Sequence, residues 1–538
     1  MSPNTFDCIV VGSGHAASSA ALSAIEAGSR RVLVVEKGPA EWVGGNGYFT
    51  AGAHRTVHGG LQDLLPIVTN VAPETAATID MDPYTPQQFT DDLMRLSDGR
   101  SDPAMVKAVV DGSRDAVGWL AEKVGVPFTL SFNRQAYLVN GRQKFWGGMA
   151  LSVADGGKGL IAAHRRALEE AGVETWFDTP AVELVTDEGI IAGLVVERGG
   201  QRAILNSPSV VLACGGFESS ADLRGKYMSP NWTQAKVPHH IHLHYRTCYS
   251  RRRPAGPRNA LQHRRRLHSY AAFERLAHRG FSATGCHSTC WDANAPSDCG
   301  DRVLSNQFTK SGYPLGIMVN ARGQRFVDEG EDFRNYTYAK FGRAILHQPG
   351  GCAFQVWDSE VVEWLRKEEY DDGVVEKVWA QSVEELADAL SQKGLEDKAA
   401  FVHTIEAYNA AVRASKTENP SRTWDPAVKD GLSTVSSQPQ LSVDPPKSNW
   451  ALPLEKPPFL AVKVACGITF TFGGLAINPN TANVLNEKGE NIRGLFATGE
   501  VVGGLFYGNY PGGSGLTAGA VFGRKAGAEA AKLAAQAA

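Results

Sequence analysis

The stretch Phe6-Asp7-Cys8-Ile9-Val10-Val11-Gly12-Ser13-Gly14-His15-Ala16-Ala17, running on to Val34-Val35-Glu36-Lys37, leaves a chain few ways to fold. Phe6 to Val11 is a short apolar run rich in β-branched residues, the pattern of a buried parallel strand. Gly12-Ser13-Gly14 turns the chain tightly, Ala16 to Ala27 is a helix of small residues, and Gly28 stands where a helix-ending glycine belongs. Arg31 to Val35 is a second strand that Glu36 ends. The order matches G-x-G-x-x-G/A, with Ala17 in the third, packing-limited place. Two glycines admit a pyrophosphate to the helix N-terminus and its free N–H groups, and Glu36 lies at the spacing for a carboxylate on an adenosine ribose.

At 538 residues the chain exceeds one ordinary core and implies two or more domains. A net charge of −3 argues against affinity for nucleic acid or anionic membranes. No apolar run reaches membrane-spanning length, and the first strand begins too early to leave room for a signal peptide, so no membrane insertion and a cytoplasmic location are expected. The eight cysteines are scattered without C-x-x-C or zinc spacing, so no metal site is expected. Cys8 and Cys214 sit in apolar strand contexts and are read as reduced core residues.

Further along, Gly44-Gly45-Asn46 and Thr50-Ala51-Gly52 offer bare N–H groups and small polar side chains. In isolation they suit a surface turn. Following a dinucleotide fold, they suit a wrap around the pyrophosphate and flavin end of FAD. Residues 85–125 read as helical, with Asp102-Pro103 a start signal. A helix to Ala171, a strand over Val173 to Phe177 and a hairpin around Asp187-Glu188-Gly189 follow. Ser209 to Phe217 is a buried strand ending in glycines. Later, Gly316 to Val327 reads as a hairpin, and Asp332 to Tyr336 leads into a helix towards Leu346. Ser359 to Arg366, Val383 to Leu390 and Asp397 to Ser415 read as amphipathic helices, and Gln438 to Pro458 as a Pro-rich linker.

Between Pro238 and Ser282 the composition breaks. Runs such as His239-His240-Ile241-His242, Arg251-Arg252-Arg253 and Arg264-Arg265-Arg266 appear, Glu274 is the only acid, and no apolar period persists. A nucleic-acid-binding insert, a His-rich metal tract and an out-of-frame or intron-derived segment all fit. The abrupt edges favour the third.

Gly494-Leu495-Phe496-Ala497-Thr498-Gly499-Glu500 is another buried strand, stopped by small residues and one carboxylate. Asn509-Tyr510-Pro511-Gly512-Gly513-Ser514-Gly515 then opens an Ala-rich helix, whose N-terminus suits the flavin's pyrimidine edge, where negative charge appears on reduction.

Taken together, the fingerprint with Glu36, Gly44-Gly45-Asn46, Ala213-Cys214-Gly215-Gly216-Phe217 and Gly494 to Glu500 resembles the fumarate reductase/succinate dehydrogenase flavoprotein superfamily. Gly285-Cys286-His287-Ser288, Gly316 to Glu329, Asp332 to Tyr336 and Gly467 to Gly474 are most similar to its tricarballylate dehydrogenase-type members. The resemblance implies an α/β fold: a Rossmann-like FAD-binding domain in two pieces, 1–282 and 447–538, with an α+β capping domain over 283–446 inserted between them. It implies FAD as cofactor and hydride transfer at a CH–CH bond beside a carboxylate or carbonyl, with a small-molecule substrate and an electron acceptor it does not name.

By position, Arg334 matches the proton-transfer arginine and His287 a histidine that holds a substrate carboxylate. The plainer reading of Arg334 is an ion pair with Asp332 or Glu331, and of His287 a satisfied polar residue. The expected cofactor contacts are Gly12, Gly14, His15, Ala16, Ala17, Glu36, Lys37, Gly44, Gly45, Asn46, Thr50 and Gly52. To these the later motifs add Ala213, Gly215, Gly216, Gly499, Glu500, Gly515 and Leu516. Two departures stand out. Thr469 replaces the histidine of G-x-H-x-T, and Tyr510 replaces the arginine of N-R-x-G-G. Losing that arginine removes a bidentate carboxylate grip and argues against fumarate or succinate as substrate. Tyr510 instead suits orienting a carbonyl or one carboxylate oxygen. Tyr510-Pro511-Gly512 is also similar to 3-ketosteroid Δ1-dehydrogenases, the alternative reading. A faulty gene product without flavin is the non-enzyme alternative.

Overall fold

The computed structural model describes residues 4–237, 278–279, 286–296 and 302–537. The anomalous 238–282 stretch therefore lies, but for two residues, outside the described residues. Its first sheet has six strands, ordered Asn483–Leu485, Asn491–Ala497, Val210–Leu212, Cys8–Val11, Val32–Val35 and Glu174–Trp176. All adjacent pairs are parallel except the outermost, Asn483–Leu485 against Asn491–Ala497. The strands from Cys8, Val32 and Val210 are buried along their whole length, which is why they read as unbroken apolar runs.

Against this sheet lies the helix His15–Glu26, and against that helix the final one, Ser514–Ala537. Gly519, Gly523 and Gly527 recur every fourth residue on the final helix. A Cβ on Gly523 would stand 2.8 Å from the Ala16 carbonyl oxygen, and one on Gly527 2.2 Å from that of Ala20. The two backbones thus touch because neither helix presents a large side chain at the crossing. This contact ties the end of the chain to its beginning.

A second, antiparallel sheet is ordered Cys286–Asp292, Phe459–Thr471, Cys352–Trp357 and Ile317–Asn320, with Val378–Ala380 also paired to the long Phe459–Thr471 strand. The helices Val383–Ser391 and Lys398–Glu418 pack on it through Leu386, Leu390, Phe401, Ile405 and Tyr408. The start signal at Asp102 is a helix cap, and Asp397, read as the first residue of its helix, is the cap of that one. Asp102 accepts from the N–H groups of Ala104 and Met105 at 2.9 and 3.3 Å, and Asp397 from that of Ala400 at 2.8 Å. Glu188 and Gly189, with φ of 48° and 82°, form the two-residue turn between Ala181–Asp187 and Ile190–Arg198.

Four expectations change. The 85–125 segment is two helices, Pro86–Leu96 and Pro103–Glu122. The helix towards Leu346 is likewise two pieces, Arg334–Thr337 and Phe341–Leu346. Ser288, from the neighbouring strand, donates both its N–H (2.8 Å) and its hydroxyl (3.0 Å) to the Ala339 carbonyl and so interrupts it. Ser359 to Arg366 holds only a short 3₁₀ turn, Val362–Trp364. There the Asp358 carboxylate accepts from the N–H groups of Glu360, Glu455 and Lys456, offering the backbone partners other than a helix. Cys214 is also not a core residue. It is exposed, two residues past the end of the strand Val210–Leu212, on the wall of the main cavity.

Candidate active site

A cavity of about 350 Å³ runs from the first βα turn to the second sheet. Its nucleotide end is built by the carboxyl ends of parallel strands, where a twisted α/β sheet leaves a crevice. Gly12, Gly14, His15 and Ala16 line it, with Glu36 and Lys37 from the second strand. Gly44, Gly45, Asn46 and Thr50 form one wall, and Ala213, Gly215 and Gly216 another. Gly499, Glu500, Gly515 and Leu516 close it from the C-terminal segment. Ala17 and Gly52 do not reach the cavity. Ala17 is fully buried against the core, and Gly52 faces Val153 across a gap a Cβ would close to 2.9 Å.

Gly12 carries φ of 110°, and a Cβ on it would stand 2.4 Å from the Ala213 carbonyl oxygen, a backbone atom with nowhere to go. Conformation alone costs about 1–3 kcal/mol there, with the clash added. Gly12→Ala is therefore expected to lower Tm and to purify without flavin, checked by thermal melting and the visible spectrum. A well-folded yellow variant would show that this turn does not decide binding.

Glu36 is already oriented. Its Oε2 accepts from the N–H (3.0 Å) and hydroxyl (2.7 Å) of Ser13, and its Oε1 from the Gly38 N–H (2.8 Å). Glu500 accepts from the N–H and hydroxyl of Thr471 at 2.7 and 3.0 Å and from the Asn46 amide at 2.9 Å. Burial, and then the adjacent Glu218 carboxylate, hold Glu500 well above the usual carboxylate range. The residues fit a dinucleotide flavin. A Cβ on Gly45 or Gly215 would meet nothing within 4 Å, so bare backbone faces open space there, and buried Asn46 Oδ1 and Glu218 Oε2 have no partner.

Behind this end sit three buried histidines. His15 Nε2–H donates to the Leu516 carbonyl (3.0 Å), leaving Nδ1 to accept from His164 Nε2–H (2.8 Å). His54 Nδ1–H donates to the Gly52 carbonyl (2.9 Å), and its ring meets that of His15 edge-on. Burial pushes His15 down to about 4 and, with His15 beside it, His54 to about 3; His164 is lowered in the same way.

The far end of the cavity holds Arg334, His287 and Tyr510 together. Arg334 is not ion-paired as its sequence neighbours suggested. Asp332 takes Arg95 and Lys429, and Glu331 takes Lys340. Instead Arg334 Nη2 donates to the Arg134 carbonyl (2.9 Å) and Nη1 to the Ser311 hydroxyl (3.3 Å). The Ser311 hydroxyl and N–H donate in turn to Glu369 Oε2 (2.5 and 2.8 Å), and Arg366 donates to Glu369 Oε1 (2.5 Å). Burial and then Arg366 lower the pKa of Arg334. Glu369 stays below its usual range despite burial, because Arg366, Arg334 and Arg134 face it.

His287 Nδ1 contacts the Thr469 hydroxyl, and its ring stacks on Phe470 at 5.3 Å. The Tyr510 and Tyr338 hydroxyls lie 2.6 Å apart. Phe470, Phe472 and Phe506 surround Tyr510. Sequence reading missed Arg134, Asn335, Tyr338, Arg366 and Glu369. Asn335 adjoined a residue already singled out, and the others carried no local signal.

A parallel sheet with a glycine-lined crevice, an acidic strand end and a second, catalytic-looking end define a dinucleotide-binding flavoenzyme fold. The family model for the FAD binding domain matches residues 7–63 and 70–516, and the chain belongs to that family. It is an FAD-dependent oxidoreductase of the fumarate reductase/succinate dehydrogenase flavoprotein superfamily. It is 27% identical over 532 residues to a probable fumarate reductase, Ifc3, of Shewanella frigidimarina, covering 98% of this chain and 75% of that protein. It is 27% identical over 394 residues to 4-oxocyclohex-2-ene-1-carboxylate 5-dehydrogenase of Sinomonas cyclohexanicum, covering 70% and 60%. In fold it is similar to 3-ketosteroid Δ1-dehydrogenase from Sterolibacterium denitrificans, with a TM-score of 0.68 and 20% identity over 99% of this chain and all of that one. Among the described residues no helix is long and apolar enough to cross a membrane.

Proposed function

We propose that this enzyme forms or saturates a carbon–carbon double bond beside a carboxylate, in the manner of a tricarballylate dehydrogenase. Residues 1–282 and 447–538 would hold FAD, and 283–446 would cap it. The carrying observation is the convergence of Arg134, Arg334 and Arg366 on the end of the cavity away from Glu36, Glu218 and Glu500, where Glu369 is the one carboxylate among the described lining residues. Such an excess of buried positive charge suits an anionic substrate.

Bound FAD supplies the hydride acceptor or donor. The chain's own residues handle the proton. Arg334 faces the cavity and, through Ser311, touches Glu369, so a proton moved at a substrate carbon has a hydrogen-bonded path from the guanidinium to a buried carboxylate. Tyr510 and His287 would orient the substrate's oxygen atoms.

One observation favours a second reading. Burial holds the Tyr510 and Tyr338 phenols well up from and above their ordinary values respectively, so both stay neutral donors, and their paired hydroxyls among phenylalanines suit a ketone oxygen. That is the 3-ketosteroid alternative. The deciding experiment mixes the flavin-loaded enzyme anaerobically with tricarballylate or with a 3-ketosteroid and follows the flavin band near ~450 nm. Bleaching by tricarballylate supports the carboxylate reading. Bleaching by the steroid alone replaces it.

A further inference from the structure

Arg134 is the least satisfied cation in the cavity. Its main-chain carbonyl is fixed by Arg334 at 2.9 Å, and its one-turn helix, Phe132–Gln135, is pinned where Gln135 donates to the Trp146 carbonyl at 2.8 Å and Trp146 stacks on Phe333 at 4.2 Å. The guanidinium itself lines the cavity and, among the described residues, makes no hydrogen bond or ion pair. Burial, then Arg366 and Arg334, press its pKa down to about 9. Arg366, by contrast, is paired to both Glu368 and Glu369.

Asn335 is the second observation. It lines the same end of the cavity, is 1% exposed, and leaves both Nδ2 and Oδ1 without a partner. A buried amide with neither its donor nor its acceptor met is costly unless a ligand supplies both partners. The open guanidinium of Arg134, lining the same cavity, matches a carboxylate in two parallel bonds.

We propose that Arg134 and Asn335 are the specificity-determining residues of this site: Arg134 takes a substrate carboxylate, and Asn335 a neighbouring group that both donates and accepts. That pattern selects carboxylic acids bearing a hydroxyl, a carboxamide or a protonated second carboxyl, over neutral ketones and over simple fatty acids. It rests on the carboxylate reading above and narrows it.

The test is equilibrium binding to the flavin-loaded enzyme, read by the flavin difference spectrum and by calorimetry, with succinamate, butyrate and butyramide as probes. Succinamate binds most tightly to the unaltered enzyme. Arg134→Gln weakens it by about 100-fold while changing butyramide by less than about threefold. Asn335→Leu brings succinamate to within about threefold of butyrate. Arg134→Gln also keeps or raises Tm, because an unpaired cation leaves a partly buried place. If the acids bind but the variants keep the parent affinities, or if Arg134→Gln merely lowers Tm, the assignment of these two residues falls alone. If no acid binds and a 3-ketosteroid does, the carboxylate reading falls with it.

Discussion

Arg334→Gln is expected to lower turnover by about 10²–10⁴-fold, the range for removing a positioned proton-transfer group. The reason lies in what surrounds the guanidinium. It spends one bond on a main-chain carbonyl and one on Ser311, and among the described residues no carboxylate pairs with it directly. Structural arginines are ordinarily held by acids, as Arg325 is by Glu329 in the second sheet's loop, where both are buried. Arg334 instead has an open face, a hydroxyl relay and a carboxylate one step away. Arg334→Lys retains the charge but not the planar fork, so it should recover only a small part of the rate. Flavin content, by the visible spectrum, and Tm should stay close to those of the parent, because the nucleotide end is built by other elements. Steady-state assays in either direction check this. Turnover within about tenfold of the parent would remove Arg334 from the chemistry.

Stability is expected to collapse on mild acidification. His15, His54 and His164 are buried and neutral, with folded-state pKa values depressed from an ordinary 6.5. The unfolded chain therefore binds more protons than the folded one below that pH. Their contribution is fully present above about 6.5 and is lost as pH falls towards the folded values. At pH 5, some 1.5 units below the unfolded value, His15 and His54 each withdraw about 2 kcal/mol. A loss of this size is a large fraction of a typical stability. Because His15 lines the cofactor cavity and contacts Leu516, flavin release should accompany it. Urea unfolding at pH 7, 6 and 5, with flavin fluorescence as a second signal, measures the slope. His164→Asn, which keeps a donor for His15, should make the fall shallower. A parent enzyme equally stable at pH 5 and 7 would mean the histidines are not buried as a neutral trio.

The nucleotide end of this site was legible in the residues alone, because its requirements are local. A glycine must turn the chain at Gly12, a small residue must pack at Ala17, and an acid must stop the strand at Glu36. Each depends on neighbours within one βαβ unit. The helix start at Asp102 and the turn at Glu188-Gly189 were readable for the same reason. Helix continuity was not local in two places. Ser288 interrupts the helix after Thr337 from a strand distant in sequence, and Asp358 draws the 359–366 segment into a turn through Glu455 and Lys456. Cys214 looked like core because the run before it is apolar, yet the strand stops at Leu212 and Cys214, two residues on, lines the cavity.

At the substrate end the motifs marked Arg334, His287 and Tyr510 and nothing more. What surrounds them was decided by tertiary structure. Arg134, Asn335 and the Arg366–Glu369 pair come from three separate stretches, and no spacing links the three. Their positions follow from a stacked Trp146–Phe333 pair, a hydroxyl bridge at Ser311 and the long strand through Thr469. Residue types and spacing thus determined that this chain binds a dinucleotide flavin, since backbone geometry around a phosphate is written in consecutive residues. Only the folded chain decided which charges meet at the other end, because charge convergence depends on distance in space and not along the chain.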